Sequence, residues 1–200
     1  MKNIKIAIIY YSQTGHNFNM AKWAKEAAEK AGAEVRLLKV HEYLDTKDAN
    51  PGWQKYLEDS KDIPEATSED LIWADAIILL SPTRFGNIAG QMKMFIDGQG
   101  GLWSEGKLTD KVVTAMTSTN VVNGGQEMTI LANYISMMHW GCIIVPPGYT
   151  DDNLFKIGGN PYGISATANR NGFDEDEEAI KLSVIHQTNR ILNITKKLVN

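Results

Sequence analysis

The segment NIKIAIIYYSQTGHNFNMA, residues 3 to 21, decides the fold, because a strand pattern changes to a helix pattern within one short turn. Residues 3–10 are rich in Ile and almost continuously apolar, as expected of a strand that is covered on both faces. From Asn17 onward apolar residues recur at helical spacing, and Gly32 supplies a stop. The segment therefore predicts one strand-helix unit with a polar turn between its two elements.

The rest of the chain repeats this unit. Further strands are predicted at 34–40, 75–81, 111–117 and 142–146. Helices are predicted from Ser68, over 88–97, over 126–140, and from the acidic run at 174 to the lysines at 196 and 197. Strands that alternate with helices imply an α/β fold in which a five-stranded parallel sheet carries helices on both faces. We expect a single domain over residues 1–200.

Composition excludes several classes of function. A net charge of -4 and a pI near 5.6 give no basic field, so we expect no nucleic-acid partner. The longest apolar runs, such as residues 76–80, are too short to cross a bilayer, and the apolar start has no signal-peptide cleavage site. A single cysteine, Cys142, excludes an internal disulfide and a cysteine metal cluster. The expectation is a soluble cytoplasmic protein without a metal site or membrane insertion.

Three polar loops follow predicted strands and precede predicted helices: SQTGHN at 12–17, SPTRFGN at 81–87 and STNVVNGGQ at 118–126. Parallel sheets bind ligands at this edge, near the point where strand order reverses. In the first loop, Ser12, Thr14 and Asn17 add polar groups around a helix N-terminus, and Gly15 permits close approach, which suits a phosphate. The same residues are also ordinary cap and turn residues, so this loop alone leaves both explanations open.

Several phosphate ligands lack their motifs. No G-x-x-x-x-G-K-[ST] loop and no G-x-G-x-x-G turn follows a strand, and no G-x-S-x-G elbow occurs. The predicted strand ends also lack the carboxylates of a phosphorelay receiver. A mononucleotide held by hydroxyls and amides remains, and FMN at the switch point is the known case for this topology.

The second loop has residue types that a flavin slot needs. Phe85 offers an apolar face, Arg84 a positive charge for the pyrimidine oxygens, and Gly86 and Asn87 offer close backbone approach and donors. A positive charge there favours reduction, because negative charge develops on that edge of the reduced ring. An arginine at an arbitrary position is more often a surface charge, so the loop supports flavin binding only together with the first.

Several spaced motifs resemble one family. SPTRFGNIAGQMKMFID at 81–97, GGLW at 100–103, GGQE at 124–127, HWG at 139–141 and GGNPYG at 158–163 are similar to those of the WrbA-type NAD(P)H:quinone oxidoreductases, in the flavodoxin-like superfamily. The resemblance implies a flavodoxin-like three-layer sandwich with FMN as cofactor, NAD(P)H as electron donor and a quinone as acceptor. It also implies a homotetramer, or a dimer, with sites near subunit contacts.

The resemblance also implies roles for individual residues. His139 matches a histidine that reaches the flavin and is the candidate for proton delivery to the quinone, and Trp103 matches an aromatic residue on the substrate side. Simpler explanations are that His139 complements the end of its helix and that Trp103 is packing. The residues expected to contact FMN are Ser12, Gln13, Thr14, Gly15, His16, Asn17, Pro82, Thr83, Arg84, Phe85, Gly86, Asn87, Ser118, Thr119, Asn120, Gly124, Gly125 and His139.

Three features differ from the family pattern. Thr14 replaces a tyrosine that helps to hold the nicotinamide, residues 120–123 lengthen the third loop, and Trp140 replaces a second histidine. These differences bear on the substrates more than on the flavin.

The resemblance predicts a two-electron ping-pong mechanism from NAD(P)H through FMN to a quinone. Three alternatives stay open: a flavodoxin-like electron carrier, a flavin, azo or nitro reductase, and a flavin-binding regulatory protein without turnover. The sequence does not distinguish NADH from NADPH, because no ribose-phosphate site is recognisable in it.

Overall fold

The structure, a computed structural model, describes residues 3–199, which form a sheet with helices on both faces. Its strands are β1 (Lys5–Tyr10), β2 (Glu34–Lys39), β3 (Ala76–Leu80), β4 (Val112–Thr119), β5 (Ile143–Ile144), β6 (Ser165–Asn169) and β7 (Gly172–Phe173). Its helices are α1 (His16–Lys30), α2 (Pro51–Asp59), α3 (Ser68–Trp73), α4 (Gly90–Asp97), α5 (Gly100–Ser104), α6 (Gln126–His139), α7 (Asn153–Lys156) and α8 (Glu177–Leu198). None of the helices within residues 3–199 is both long and apolar enough to cross a membrane.

The strand order corrects the prediction of five parallel strands. The sheet runs β2-β1-β3-β4-β6-β7, β5 also pairs with β4, and the final pair β6-β7 is antiparallel. The four strands predicted first are present and parallel, whereas β5 has only two residues. Within residues 3–199 the sheet has seven strands, because β6 pairs with the part of the β4 edge beyond β5 and β7 pairs with β6.

The shared edge of β4 has a break between its two partners. β5 pairs with Val112 and Val113, and β6 pairs with Thr117 to Thr119. Between them, the backbone of Ala115 is paired with side chains: its N–H donates to Tyr134 Oη at 3.3 Å, and its carbonyl accepts from Gln187 Nε2 at 3.2 Å. Helices on opposite faces of the sheet thus supply the two bonds that a strand would otherwise supply.

Tyr134 and Gln187 also hold the segment that precedes β6, where the chain returns to the sheet. Gln187 Oε1 accepts from the N–H of Ile164 at 2.8 Å, and Tyr134 Oη donates to the carbonyl of Tyr162 at 2.6 Å. Burial raises the pKa of Tyr134 to about 12, so its hydroxyl keeps the hydrogen that this bond needs. A Cβ on Gly163 would lie 2.2 Å from the Ala115 carbonyl oxygen, which explains the glycine between the two anchored residues.

The two faces of the sheet have separate apolar clusters. On β1, Ile6, Ile8 and Tyr10 point to the cluster that contains α1 and α8, while Ala7 and Ile9 point to the cluster that contains α3, α4 and α6. This alternation explains why β1 is apolar from Ile6 to Tyr10, because both of its faces are covered there.

Helix boundaries differ from the predicted ones by a few residues. Helix α1 begins at His16 rather than Asn17, and Thr67, not Ser68, caps α3, because its N–H and hydroxyl both donate to Asp70 Oδ2 at 2.8 Å. Helix α2 was not predicted, although Asn50 accepts from the N–H of Trp53 as a cap and Pro51 follows it. Apart from Trp53, Tyr56 and Leu57, this helix has few apolar residues, which hides it in the sequence.

Removal of the Gln187 amide tests whether this side chain stabilises the interrupted edge of β4. We expect Gln187→Met, which keeps most of the side-chain volume, to lower the free energy of unfolding by about 2 to 4 kcal/mol, because it leaves the Ala115 carbonyl and the Ile164 N–H buried without these bonds. Denaturant unfolding measures the loss, and Gln54→Met on the exposed face of α2 is the matched control. Equal stability of the two variants would contradict this account of the break.

Candidate active site

A pocket of about 320 Å³ opens at the carboxyl ends of β1, β3 and β4. All three predicted loops contribute to it, because the carboxyl ends of these neighbouring parallel strands lie at one edge of the sheet. Its lining residues are Ser12, Gln13, Thr14, His16, Asn17, Pro82, Thr83, Arg84, Phe85, Ser118, Thr119, Asn120, Val121, Gly124 and Ala168.

The first loop presents hydrogen-bond donors at the start of α1. The N–H of Gly15 donates to Ser12 Oγ at 3.0 Å, so the Ser12 hydroxyl hydrogen stays available for an acceptor in the pocket. Gly15 has a φ of 91°, a left-handed conformation in which glycine is unstrained. No side chain caps α1, and its first turn carries the unpaired N–H groups and the positive dipole end that suit an anion.

Asn17 supplies an acceptor in the same place. The residue is 1% exposed and lines the pocket, and its Nδ2 donates to the carbonyl of Tyr11 at 3.2 Å. Its buried Oδ1 has no hydrogen-bond partner within residues 3–199. Buried acceptors in native proteins normally have a hydrogen-bond donor as partner. A ligand hydroxyl group beside a phosphate would provide such a donor. The first loop therefore fits a phosphate that is attached to a polyol, as in FMN.

The second loop is a tight turn that exposes an aromatic ring. Arg84 and Asn87 exchange both backbone hydrogen bonds, at 2.7 and 3.0 Å. The two residues between them, Phe85 and Gly86, have positive φ values of 53° and 76°. This conformation is strained for phenylalanine, and it leaves the Phe85 side chain fully exposed at the lip of the pocket.

Arg84 joins the first and second loops. Its Nη2 donates to Gln13 Oε1 at 2.7 Å, and its Nη1 donates to the carbonyl of Thr83 at 3.2 Å. The guanidinium group is thereby held at the pocket as a positive charge with donors. It can pair with the electronegative edge of a planar ligand.

The third loop begins later than predicted, because Ser118 and Thr119 are the last residues of β4. Its final glycine lies against the second loop: a Cβ on Gly125, whose φ is 90°, would be 2.6 Å from Gly86 Cα. Of the two valines that lengthen this loop, Val121 lines the pocket and Val122 lines a neighbouring groove. Val121 and Phe85 thus form apolar lips around a pocket whose other lining is mostly polar.

Some of the expected site residues do not line the pocket. Gly15, Gly86 and Gly125 shape the loops, and Asn87 closes the turn opposite Arg84. His139 and Trp103 lie in another groove, where Trp103 Nε1 donates to the carbonyl of His139 at 2.9 Å. His139 is the last residue of α6, and the first turn of this helix follows the third loop, so about 20 Å of helix separates His139 from the pocket within one chain.

Two residues of the lining were missed in the sequence. Val121 was recognised only as part of a longer loop, and Ala168 lies on β6, whose small residues give no clear strand signal. The antiparallel pair β6-β7 also brings Phe173 to α1, where its ring meets the ring of His16 edge-on, with centroids 5.2 Å apart. No motif in the sequence marked this contact.

The surroundings of His16 disfavour the charged form of its imidazole. Burial lowers the pKa of its imidazole below the usual 6.5, although the Asn169 backbone and the Asp174 carboxylate partly offset the effect. The folded chain therefore binds fewer protons at this site than the unfolded chain does, over the pH range between its lowered pKa and about 6.5.

Acidification tests the environment of His16. We expect the free energy of unfolding to fall as the pH decreases below about 6.5, with a His16 contribution of less than about 1.4 kcal/mol per pH unit, the limit for one proton. In His16→Gln this contribution is absent, so the variant loses less stability between pH 7.5 and 5.5. Denaturant unfolding of the ligand-free protein at both pH values measures the difference, and parallel losses would refute the assignment.

A comparison of two glycines tests the contact between the second and third loops. Gly125→Ala and Gly32→Ala both place alanine at a positive φ, of 90° and 81°, but only Gly125 faces another backbone. We expect Gly32→Ala to cost about 1 kcal/mol, and Gly125→Ala to cost roughly 1 to 3 kcal/mol more because the loops must separate. Denaturant unfolding measures both costs, and equal values would exclude a tight contact.

Known proteins are similar to this chain in sequence and in fold. The family model described as NADPH-dependent FMN reductase matches residues 4–153. A Deinococcus radiodurans protein named NAD(P)H dehydrogenase (quinone) is 52% identical over 198 residues, which are 98% of each chain. A Brucella anthropi protein of the same name is 38% identical over 199 residues, again 98% of each chain.

Solved structures agree on the fold. A protein from Agrobacterium tumefaciens described as a flavodoxin, WrbA-like protein aligns with a TM-score of 0.67 at 20% identity, over 98% of this chain and 99% of that one. Oxidised Flavodoxin 2 from Bacillus cereus aligns with a TM-score of 0.60 at 18% identity, over 96% of this chain and 99% of that one. The fold is therefore flavodoxin-like, and the chain belongs to the NADPH-dependent FMN reductase family.

Proposed function

We propose that this protein is an FMN-dependent NAD(P)H:quinone oxidoreductase of the WrbA type, which acts in the cytoplasm as a single flavodoxin-like domain over residues 1–200. The observation that carries the proposal is the pocket in which a donor-rich turn, a held arginine and two apolar lips meet. The full-length relatives named NAD(P)H dehydrogenase (quinone), at 52% and 38% identity, support the choice of reaction.

The first loop would hold the phosphate end of FMN. Ser12 and Thr14 have hydroxyl groups for the phosphate oxygens, and the positive end of α1 favours the negative charge. Asn17 Oδ1 would accept a hydrogen bond from a hydroxyl of the ribityl chain. None of the first-loop residues that line the pocket is a lysine or an arginine, and the nearby Arg84 is bonded to Gln13, so hydroxyls, amides and backbone N–H groups would do most of the binding.

The second and third loops would hold the ring. The guanidinium group of Arg84 would lie near the pyrimidine edge, where it favours the negative charge that reduction adds. Phe85 and Val121 would shield the ring from water on the open side, while Thr83, Ser118 and Thr119 would offer polar contacts beneath it. When bound, FMN supplies hydride acceptance and two-electron transfer, and the protein supplies position and electrostatics.

The proposed assembly is a homotetramer. Within one chain His139 is too far from the pocket to serve it, so proton delivery by His139, and substrate contact by Trp103, would require a neighbouring copy. The apolar residues Trp103, Ile135 and Met138 are 57%, 57% and 58% exposed, which supports their burial against another subunit. Solvent would deliver the proton if the assembly does not bring His139 to a pocket.

Anaerobic stopped-flow mixing tests the function. The protein is loaded with FMN and mixed with NADH or NADPH, and the oxidised-flavin absorbance is followed before and after addition of benzoquinone. We expect one donor to bleach the flavin within the time of a normal enzyme turnover, from milliseconds to about a second, and benzoquinone to restore the absorbance. The faster donor identifies the preferred nicotinamide.

Three results would contradict the proposal. Absence of FMN binding would remove the cofactor assignment altogether. Bound FMN that neither nicotinamide reduces, together with a long-lived one-electron state on photoreduction, would instead indicate an electron carrier. A regulatory protein would bind FMN and show neither behaviour.

A further inference from the structure

A set of buried hydroxyl groups lies directly behind the pocket. Thr83 lines the pocket, and its Oγ1 lies 2.9 Å from Thr129 Oγ1 and 3.3 Å from Thr117 Oγ1. Thr117 and Thr129 are completely buried, on β4 and α6 respectively. Thr129 does not line the pocket, and no motif in the sequence marks it.

The hydrogen atoms of these hydroxyls can be assigned from their partners. Thr129 Oγ1 donates to the carbonyl of Gly125 at 2.9 Å, and Thr117 Oγ1 donates to the carbonyl of Ser81 at 2.7 Å. Carbonyl oxygens only accept, so each of these hydroxyls uses its single hydrogen there. Thr83 can then donate its own hydrogen to its nearer neighbour, Thr129.

This assignment determines what Thr83 offers to a ligand. When its hydrogen is donated to Thr129, its oxygen acts toward the pocket as an acceptor. Without the Thr129 hydroxyl, the remaining neighbour of Thr83 Oγ1 is Thr117 Oγ1, a more distant acceptor at 3.3 Å, so the Thr83 hydrogen would be held less firmly and could turn toward the pocket. Thr129 therefore selects one of the two possible hydrogen-bonding roles of Thr83.

Thr129 also connects the second and third loops. Its hydroxyl holds the carbonyl of Gly125, the residue that lies against Gly86, while it accepts from Thr83 at the start of the second loop. The backbone supports the same register, because the N–H of Thr83 donates to the carbonyl of Ser118 at 2.8 Å. One buried side chain thus contacts both loops between which the ring of FMN would lie.

We propose that Thr129 is a positioning residue that sets Thr83 as a hydrogen-bond acceptor for an N–H group of the flavin ring and holds the second and third loops at the spacing of that ring. The inference rests on the proposed function, because it takes FMN as the ligand. It deepens that function by assigning ring recognition to a residue that does not itself reach the pocket.

The chain contains a matched control for this residue. Thr195 on α8 is also completely buried, and its hydroxyl makes the same bond to the carbonyl four residues earlier, at 2.8 Å. Thr195 does not line the pocket. Thr129→Val and Thr195→Val each remove a hydroxyl bond of the same kind within a helix. Only Thr129→Val also removes the hydrogen-bond partner of Thr83.

The test measures flavin affinity by fluorescence quenching in the wild type, Thr129→Val, Thr129→Ser and Thr195→Val. We expect Thr129→Val to weaken FMN binding about tenfold, Thr129→Ser to restore it within about threefold, and Thr195→Val to leave it unchanged. Riboflavin should lose the same factor as FMN, because the contact is with the ring and not with the phosphate. The shape of the bound-flavin absorbance band should change in Thr129→Val alone, which a loss of stability would not cause.

A double variant tests whether Thr129 acts through Thr83. If it does, Thr83→Val with Thr129→Val should bind FMN no more weakly than Thr83→Val does. Additive losses, wild-type affinity in Thr129→Val, or a loss confined to FMN would each overturn the inference.

Failure of the inference is distinguishable from failure of the proposed function. If the wild type binds neither FMN nor riboflavin, the function itself is wrong. If Thr129→Val does not fold, the Thr83 variants decide: Thr83→Ser should keep the affinity and Thr83→Val should lose about tenfold. Equal affinity of these two variants would refute the acceptor role.

Discussion

The arrangement of strands around the pocket depends on how the backbone N–H and carbonyl of one residue in β4 are hydrogen-bonded. Ala115 lies where β5 has ended and β6 has not begun, and its two polar groups would be buried without partners if Tyr134 and Gln187 did not reach them from opposite faces of the sheet. Because the same side chains anchor residues 162 and 164, β6 is fixed beside the carboxyl end of β4. The pocket needs β6 in that position, since Ala168 forms part of its wall.

Much of the fold was predictable because strands and helices in an α/β protein have different apolar periods. The continuous run of residues 3–10 and the helical spacing after Asn17 led to β1 and α1 within one or two residues. The break in β4 was not predictable, because it depends on a glutamine and a tyrosine that look like ordinary helix residues. β6 and β7 were missed for a related reason: they are short, and their small side chains show no alternation.

The location of the candidate site could be predicted from the sequence, but most of its individual side-chain contacts could not. Topology brings the three loops together, so most of the residues expected in them do line one pocket. His139 and Trp103 were expected at the site from the family resemblance alone, and within one chain His139, to whose carbonyl Trp103 donates, lies about one helix length from the pocket. The contacts of Arg84 with Gln13 and of Thr83 with Thr129 also depend on side-chain directions that one sequence does not reveal.

The division of the β4 edge between two strands has a consequence for how this chain can change. Residues 146–161 lie between the last pairing beside β5 and the anchored Tyr162, so the length of this segment is not tied to strand register. Residues can therefore be added to or removed from the exposed part of this segment during evolution while the pocket at the ends of β1, β3 and β4 keeps its shape. If one unbroken strand paired with the whole edge of β4, the length of this segment and the shape of the pocket could not vary independently. Any insertion would then have to preserve the pairing along the whole strand.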